Sequence, residues 1–171
     1  KAVAKVAKAF NMNVLAYRRN PQEDNVAKIV SLDTLLNESD IVTVHCPLNK
    51  ESEKMFDKEA FGKMKDGAIF INTARGGVIV EDDLVEALER GKLSFAGIDV
   101  LETEPMAHSC KLIKAKNCIL TPHIAWAPME TRERLMSIVC DNIRKFLAGN
   151  LFFFHEHGGD CVEFVAVRAE N

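Results

Sequence analysis

The run Ile69-Phe70-Ile71-Asn72-Thr73-Ala74-Arg75-Gly76-Gly77 constrains this chain most. An apolar stretch feeding straight into a small-residue turn reads as a strand buried on both faces. Such strands belong to parallel sheets covered by helices. Arg75 then stands just past the strand, at the carboxyl edge where open α/β sheets bind ligands. Two later segments repeat the arrangement. Ala96-Gly97-Ile98-Asp99-Val100 leads to Glu102-Thr103-Glu104-Pro105, and Ile119-Leu120-Thr121-Pro122 leads to His123. Arg75, Glu104 and His123, each just past a strand, predict one site assembled from three loops.

The remaining segments alternate in the same way. Lys1 to Phe10 has Val3, Val6, Ala7 and Phe10 at helical spacing. Val14 to Tyr17 and Asp40 to His45 read as strands, and Ser31 can cap a short helix over Leu32, Leu35 and Leu36. Asp57 to Met64 and the segment opened by Glu81-Asp82-Asp83 read as helices, the latter closed by Gly91. Further strands are expected at Phe95 to Val100 and Cys118 to Thr121. Pro128 starts a long amphipathic helix with a stripe of Leu135, Ile138, Val139, Ile143 and Phe146. Strands alternating with helices predict an α/β fold with a doubly wound parallel sheet. After Asn150 the character changes. Leu151 to Phe154 is an apolar clump, His155 to Asp160 does not continue the helix, and Val162 to Val167 reads as a stray strand. Residues 1–150 are therefore expected to form the domain and 151–171 an atypical tail.

With 171 residues the chain fits about one domain, and a formal net charge of −3 gives no electrostatic case for nucleic acid. No apolar run is long enough to span a bilayer. The cysteines at 46, 110, 118, 140 and 161 are scattered and show no CxxC spacing. They read as reduced thiols of a cytoplasmic protein rather than a disulfide framework. His155-Glu156-His157 and His108-Ser109-Cys110 lack zinc spacing, so no metal is expected.

The residue types suggest chemistry. An arginine on a loop is ordinarily solvated, but a guanidinium beside two glycines after a buried strand can anchor a carboxylate through two parallel hydrogen bonds. His123 has the side chain best placed to exchange protons near neutral pH, and Glu104 can bond its far ring nitrogen. Asp99 stands in apolar surroundings and needs a partner: either nearby backbone amides, or a ligand amide or hydroxyl. Arg18 and Arg19 follow Tyr17 at a strand end, where an acidic residue would accept from the ribose of NAD. They are either solvated or placed to bind a 2'-phosphate, which favours NADP.

Four motifs carry a resemblance: Ser39 to Leu48 (SDIVTVHCPL), Asn72 to Gly76, Asp99 to Pro105 (DVLETEP) and Thr121 to Ile124. In order and spacing they resemble the D-isomer-specific 2-hydroxyacid dehydrogenases, from Lys1 to about Asn150. Ile124 to Pro128 with Arg132 to Leu135 is most similar to the glycerate dehydrogenase and hydroxypyruvate reductase branch. The resemblance implies a Rossmann-type domain and an oxidoreductase. It would use NAD or NADP to reduce a small 2-keto acid such as hydroxypyruvate or glyoxylate, and would be a homodimer when full length. It implies that Arg75 binds the substrate carboxylate and carbonyl, that His123 protonates the carbonyl oxygen and that Glu104 orients His123. It further implies that Asp99 holds the nicotinamide carboxamide, with Thr73 and Ala74 on the nicotinamide side and Cys46 and Pro47 on the adenosine side. Phosphoglycerate dehydrogenase is an alternative within the family. Formate dehydrogenases are expected to carry Gln where Glu104 stands. A non-catalytic dinucleotide sensor of the same fold is the alternative from another class.

The chain departs from the family pattern. It has no G-x-G-x-x-G, and Lys1 to Ala4 resembles the helix that follows that loop. The expectation is a sheet lacking its first strand and glycine turn. Its second strand and the strand before Arg75 would lose a shared neighbour, so the chain alone is expected to be poorly folded or to associate through the open edge, to bind NAD(P) weakly if at all, and to be inactive.

Overall fold

The computed structural model describes residues 1–20, 24–149 and 164–168. The clump at 151–154, the His155-Glu156-His157 triplet and Cys161 lie outside them. The elements are α1 (Ala2–Ala9), β1 (Asn13–Tyr17), β2 (Lys28–Ile29), α2 (Leu32–Glu38), β3 (Ile41–Val44), α3 (Lys58–Lys63), β4 (Ala68–Asn72), α4 (Glu81–Glu89), β5 (Leu93–Ile98), β6 (Cys118–Leu120), α5 (Met129–Leu147) and β7 (Phe164–Arg168). They build one seven-stranded sheet in the order β2-β1-β7-β3-β4-β5-β6.

Six strands run parallel, and β7 alone is antiparallel to both of its neighbours. The expected gap lies between β1 and β3, not between β1 and the strand before Arg75, because β4 pairs with β3 and β5. It is not an open edge. β7 fills it, with Ala166 between Leu15 and Val42. All three belong to one core, and Ala166 is 0% exposed. Residues expected to stand apart as a tail thus supply a central strand.

Local signals explain most boundaries. Ser31 caps α2 by accepting from the Thr34 amide, and Asp57 caps α3 by accepting from the Ala60 amide. Glu81, Asp82 and Asp83 occupy the first turn of α4, where the helix dipole favours them. The main core joins α2, α3 and α4 to one face of the sheet, with Phe56, Phe61 and Phe70 in mutual contact at centroid separations of 4.9–6.0 Å. A smaller core lies on the other face under α1.

Two apolar stripes behave differently from expectation. In α1 the buried residues are Ala4 and Ala7, while Val3, Val6 and Phe10 are exposed. Alanines let the helix approach β1 closely, so they form the packing face although the larger side chains dominate the sequence pattern. In α5 no residue is buried, and Leu135, Ile138, Val139, Ile143 and Phe146 are all exposed. Strand β5 ends at Ile98, so Asp99 follows it rather than lying inside it, and the two-residue β2 carries too little pattern to be predicted.

Candidate active site

The carboxyl ends of β4, β5 and β6 place the three expected loops along one edge. The loop after β6 carries His123, which adopts a left-handed backbone conformation with φ of 53°. A non-glycine residue rarely takes that conformation, which persists only where surrounding contacts enforce it. Here the enforcement is visible. The His123 amide donates to the Asp99 carbonyl at 2.9 Å. The Ile124 and Ala125 amides donate to the Asp99 carboxylate, each at 2.9 Å, and the Thr121 hydroxyl donates to the same carboxylate. Of the two readings open for Asp99, the structure realises the backbone cap.

Burial alone would raise the Asp99 pKa, but the bonds from Thr121, Ala125 and Ile124 outweigh it and hold the group below the usual carboxylate range. A depressed carboxylate contributes stability that is present above its unfolded pKa of about 3.9 and is lost as pH falls through the folded value. Accordingly, in an acid titration followed by NMR, the Ile124 and Ala125 amide signals are expected to move only below about pH 3.9. Movement centred at the ordinary carboxylate value would show that Asp99 does not anchor this loop.

The ring of His123 faces Glu104, with Nδ1 at 2.7 Å from Glu104 Oε2. Glu104 Oε1 accepts from the Leu101 amide at 2.9 Å, which fixes the carboxylate. The bond to His123 and then the Leu101 amide hold Glu104 below its ordinary pKa, so it is ionised at neutral pH. A carboxylate on Nδ1 selects the tautomer with the proton on that nitrogen and leaves Nε2 to exchange protons with a ligand. Asp99, Glu104, Met106, Thr121 and His123 line one cavity of about 610 Å³.

Arg75 lies on the rim of a second cavity, of about 550 Å³, with His45, Cys46, Pro47, Leu48, Thr73 and Ala74. The structure therefore gathers the predicted residues into two neighbouring groups: Asp99, Glu104 and His123 in one, and Arg75, Thr73, Ala74, Cys46 and Pro47 in the other. Arg75 is exposed, and its Nη1 donates to the Ala74 carbonyl at 2.6 Å. Arg18 is placed unlike the sequence reading. It is 4% exposed and donates to Asp24 at 2.8 Å, so its guanidinium neutralises a buried carboxylate instead of facing solvent. Arg19 is exposed and pairs with Glu51.

Three residues to which the sequence motifs assigned no role shape the two groups. Asn72 is fully buried at the end of β4. Its Nδ2 donates to the Arg75 carbonyl, and its Oδ1 accepts from the Ala74 amide, both at 3.0 Å. Its backbone carbonyl accepts from the Asp99 amide at 2.9 Å, which joins the β4 loop to the β5 loop. A polar residue closing an apolar strand was the available signal. Gly76 permits the backbone of the Arg75 loop to touch the next loop: a Cβ there would lie 1.9 Å from the Leu101 carbonyl carbon and 2.3 Å from the Glu102 nitrogen. His45 lines the Arg75 cavity, shares a 3.2 Å hydrogen bond with the Thr43 hydroxyl, and has its pKa lowered by burial.

Gly76→Ala is expected to destabilise the chain by about 1–3 kcal/mol or more, because backbone cannot yield as a side chain does. Gly77→Ala meets only the Leu48 side chain, at 3.0 Å, and should cost less. Urea unfolding of both variants checks this, and equal midpoints would refute the close approach.

Residues 1–125 match the family model described as the D-isomer specific 2-hydroxyacid dehydrogenase, NAD binding domain. The chain belongs to this family. It is 50% identical over 152 residues to a hydroxypyruvate reductase of Blautia hydrogenotrophica, covering 87% of this chain and 47% of the relative. It is 42% identical over 151 residues to a glycerate dehydrogenase of Methylorubrum extorquens, again covering 87% of this chain and 47% of the relative. The crystal structure of D-lactate dehydrogenase from Aquifex aeolicus complexed with NAD and lactic acid superposes with a TM-score of 0.76 at 37% identity. That match covers 86% of this chain and 50% of the other. The chain thus spans about half the length of the relatives it matches, and its fold is the Rossmann-like sheet with flanking helices of these dehydrogenases.

Proposed function

We propose that this domain carries the proton-transfer half of a D-2-hydroxyacid dehydrogenase that reduces hydroxypyruvate or glyoxylate with NADH or NADPH. The single observation that carries the reading is the His123–Glu104 pair at 2.7 Å, on a loop whose backbone Asp99 holds in a left-handed turn. A dinucleotide, when bound, supplies the hydride. Arg75 binds the substrate carboxylate beside the carbonyl. His123 Nε2 delivers a proton to the carbonyl oxygen, and Glu104 stabilises the imidazolium from the opposite nitrogen.

The residues present suit one half of the cofactor. Thr73, Ala74, Cys46 and Pro47 offer small side chains around a cavity at the carboxyl edge, as a flat ring requires. A glycine-rich phosphate turn is not among the chain's own residues. Burial of Arg18 on Asp24 weighs against Arg18, one of the two arginines on which a preference for NADP was expected to rest. Arg18→Asp is therefore expected to lower stability, through two facing carboxylates, without moving the NADH to NADPH ratio of kcat/KM. A shift of that ratio towards NADH would restore Arg18 as a phosphate ligand.

The exposed apolar stripe of α5 supports a homodimer in the full-length protein. No helix among the described residues is long and apolar enough to cross a membrane. Together with four free cysteines among the described residues, this supports a cytoplasmic location. The experiment for the proton-transfer reading is a pH profile of hydroxypyruvate reduction, measured in a chimera in which residues 1–149 replace the matching half of the Blautia reductase. Glu104→Gln is expected to move the profile to lower pH and leave KM for hydroxypyruvate nearly unchanged. An unmoved profile would remove Glu104 from the proton path.

A further inference from the structure

Leu101 and Glu102 present consecutive amides to two different carboxylates. The Leu101 amide donates to Glu104 Oε1 at 2.9 Å, the bond that fixes the partner of His123. The next amide, that of Glu102, donates to Glu81 Oε1 at 2.8 Å. The other Glu81 oxygen, Oε2, lies 3.9 Å from the Cys110 thiol, which donates to it. One carboxylate thus ties both ends of residues 102–110, the segment that carries Glu104.

Glu81 stands on a firm base. It opens α4, whose Leu84, Val85, Ala87 and Leu88 are buried in the main core. The Val80 amide, just before it, donates to the Phe56 carbonyl at 2.9 Å. Glu81 is half-buried, whereas every residue from Glu102 to Ser109 is exposed. A loop that buries so little of itself takes its position from polar ties to a packed helix. Asp82 adds a second tie, to Lys111 at 2.9 Å. The Leu101–Glu102 peptide also abuts Gly76 too closely for a side chain. Backbone contact and Glu81 together set the orientation of that peptide, and a turn of it would displace the Leu101 amide from Glu104.

We propose that Glu81 is a positioning residue for proton transfer: by holding the Glu102 amide and the Cys110 thiol, it keeps Glu104 on Nδ1 of His123. The inference rests on the proton-transfer reading of that pair. Glu81 lines a separate small cavity with Cys110 and Lys111, not the one that His123 and Glu104 line, so it acts through the loop and not on substrate.

The test uses the chimera of residues 1–149 with the matching half of the Blautia reductase. Glu81→Ala is expected to lower kcat for hydroxypyruvate by about tenfold to a hundredfold, the scale on which roughly an ångström of misplacement acts. KM should stay within a fewfold of the parent, and the pH profile should move to lower pH, the direction expected for Glu104→Gln. Glu104 and Asp99 both face His123, but Asp99 keeps its bonds to Thr121, Ile124 and Ala125, so the movement reports Glu104. Glu81→Gln still offers an oxygen to the Glu102 amide and should restore most of kcat and the parental profile. Glu81→Ala added to Glu104→Gln should move the profile no further, because both act through one contact. Asp82 and Asp83 keep the first turn of α4 acidic in every variant. If Glu81→Ala does not fold by circular dichroism, Glu81→Asp, one methylene too short to reach, carries the same expectation. A profile moved by Glu104→Gln but not by Glu81→Ala would overturn the positioning role alone. So would a further shift in the double variant, or a Glu81→Gln chimera as impaired as Glu81→Ala. A profile that neither Glu104→Gln nor Glu81→Ala moves would overturn the proton-transfer reading and this inference with it.

Discussion

In the chimera with the Blautia reductase half, His123→Ala is expected to lower kcat for hydroxypyruvate reduction by about a hundredfold to ten-thousandfold, the range for loss of a positioned general acid. The expectation rests on geometry. His123 Nδ1 is committed to Glu104 at 2.7 Å, and Glu104 is itself fixed by the Leu101 amide, so Nε2 is the nitrogen left for substrate. The His123 loop is anchored by backbone and by Asp99, so removing the ring should leave the loop in place and KM within a fewfold of the parent. Steady-state kinetics with unchanged circular dichroism checks both parts. A His123→Ala chimera with kcat near that of the parent would refute the proton-transfer role. A large rise in KM with kcat retained would instead assign His123 to substrate binding.

Ala166→Asp is expected to abolish cooperative folding of this chain. The site is fully buried between the apolar residues Leu15 and Val42 of the neighbouring strands. An unpaired carboxylate there costs several kcal/mol, comparable with a domain's net stability of about 5–15 kcal/mol. Loss of β7 would also strip the facing edges of β1 and β3 of their hydrogen-bond partner. Ala166→Gly keeps the space and the backbone bonds, and should cost only about 1 kcal/mol. Urea unfolding separates the cases. An Ala166→Asp midpoint equal to that of the parent would show that β7 does not occupy the sheet.

By itself the sequence determined most of the elements and which polar residues follow them. The apolar strand before Arg75, the caps at Ser31 and Asp57, and Arg75, Glu104 and His123 after successive strands are local patterns, each legible within about ten residues. Local spacing also foretold that Glu104 would reach His123, because both loops leave the same edge of neighbouring strands. What the tertiary structure decided depends on residues far apart in the chain. Arg18 read as a solvated or phosphate-binding arginine until Asp24 was found against it in a buried pair. Asp99 had two candidate partners, and only the fold of the 121–125 loop chose the backbone amides. The α1 stripe misled because alanine carries little hydrophobic signal yet permits close approach to β1. Above all, Phe164 to Arg168 reads locally as a stray strand. Its role follows from a vacancy between β1 and β3, more than a hundred residues earlier, and the unmet hydrogen bonds of those two strands give it a place.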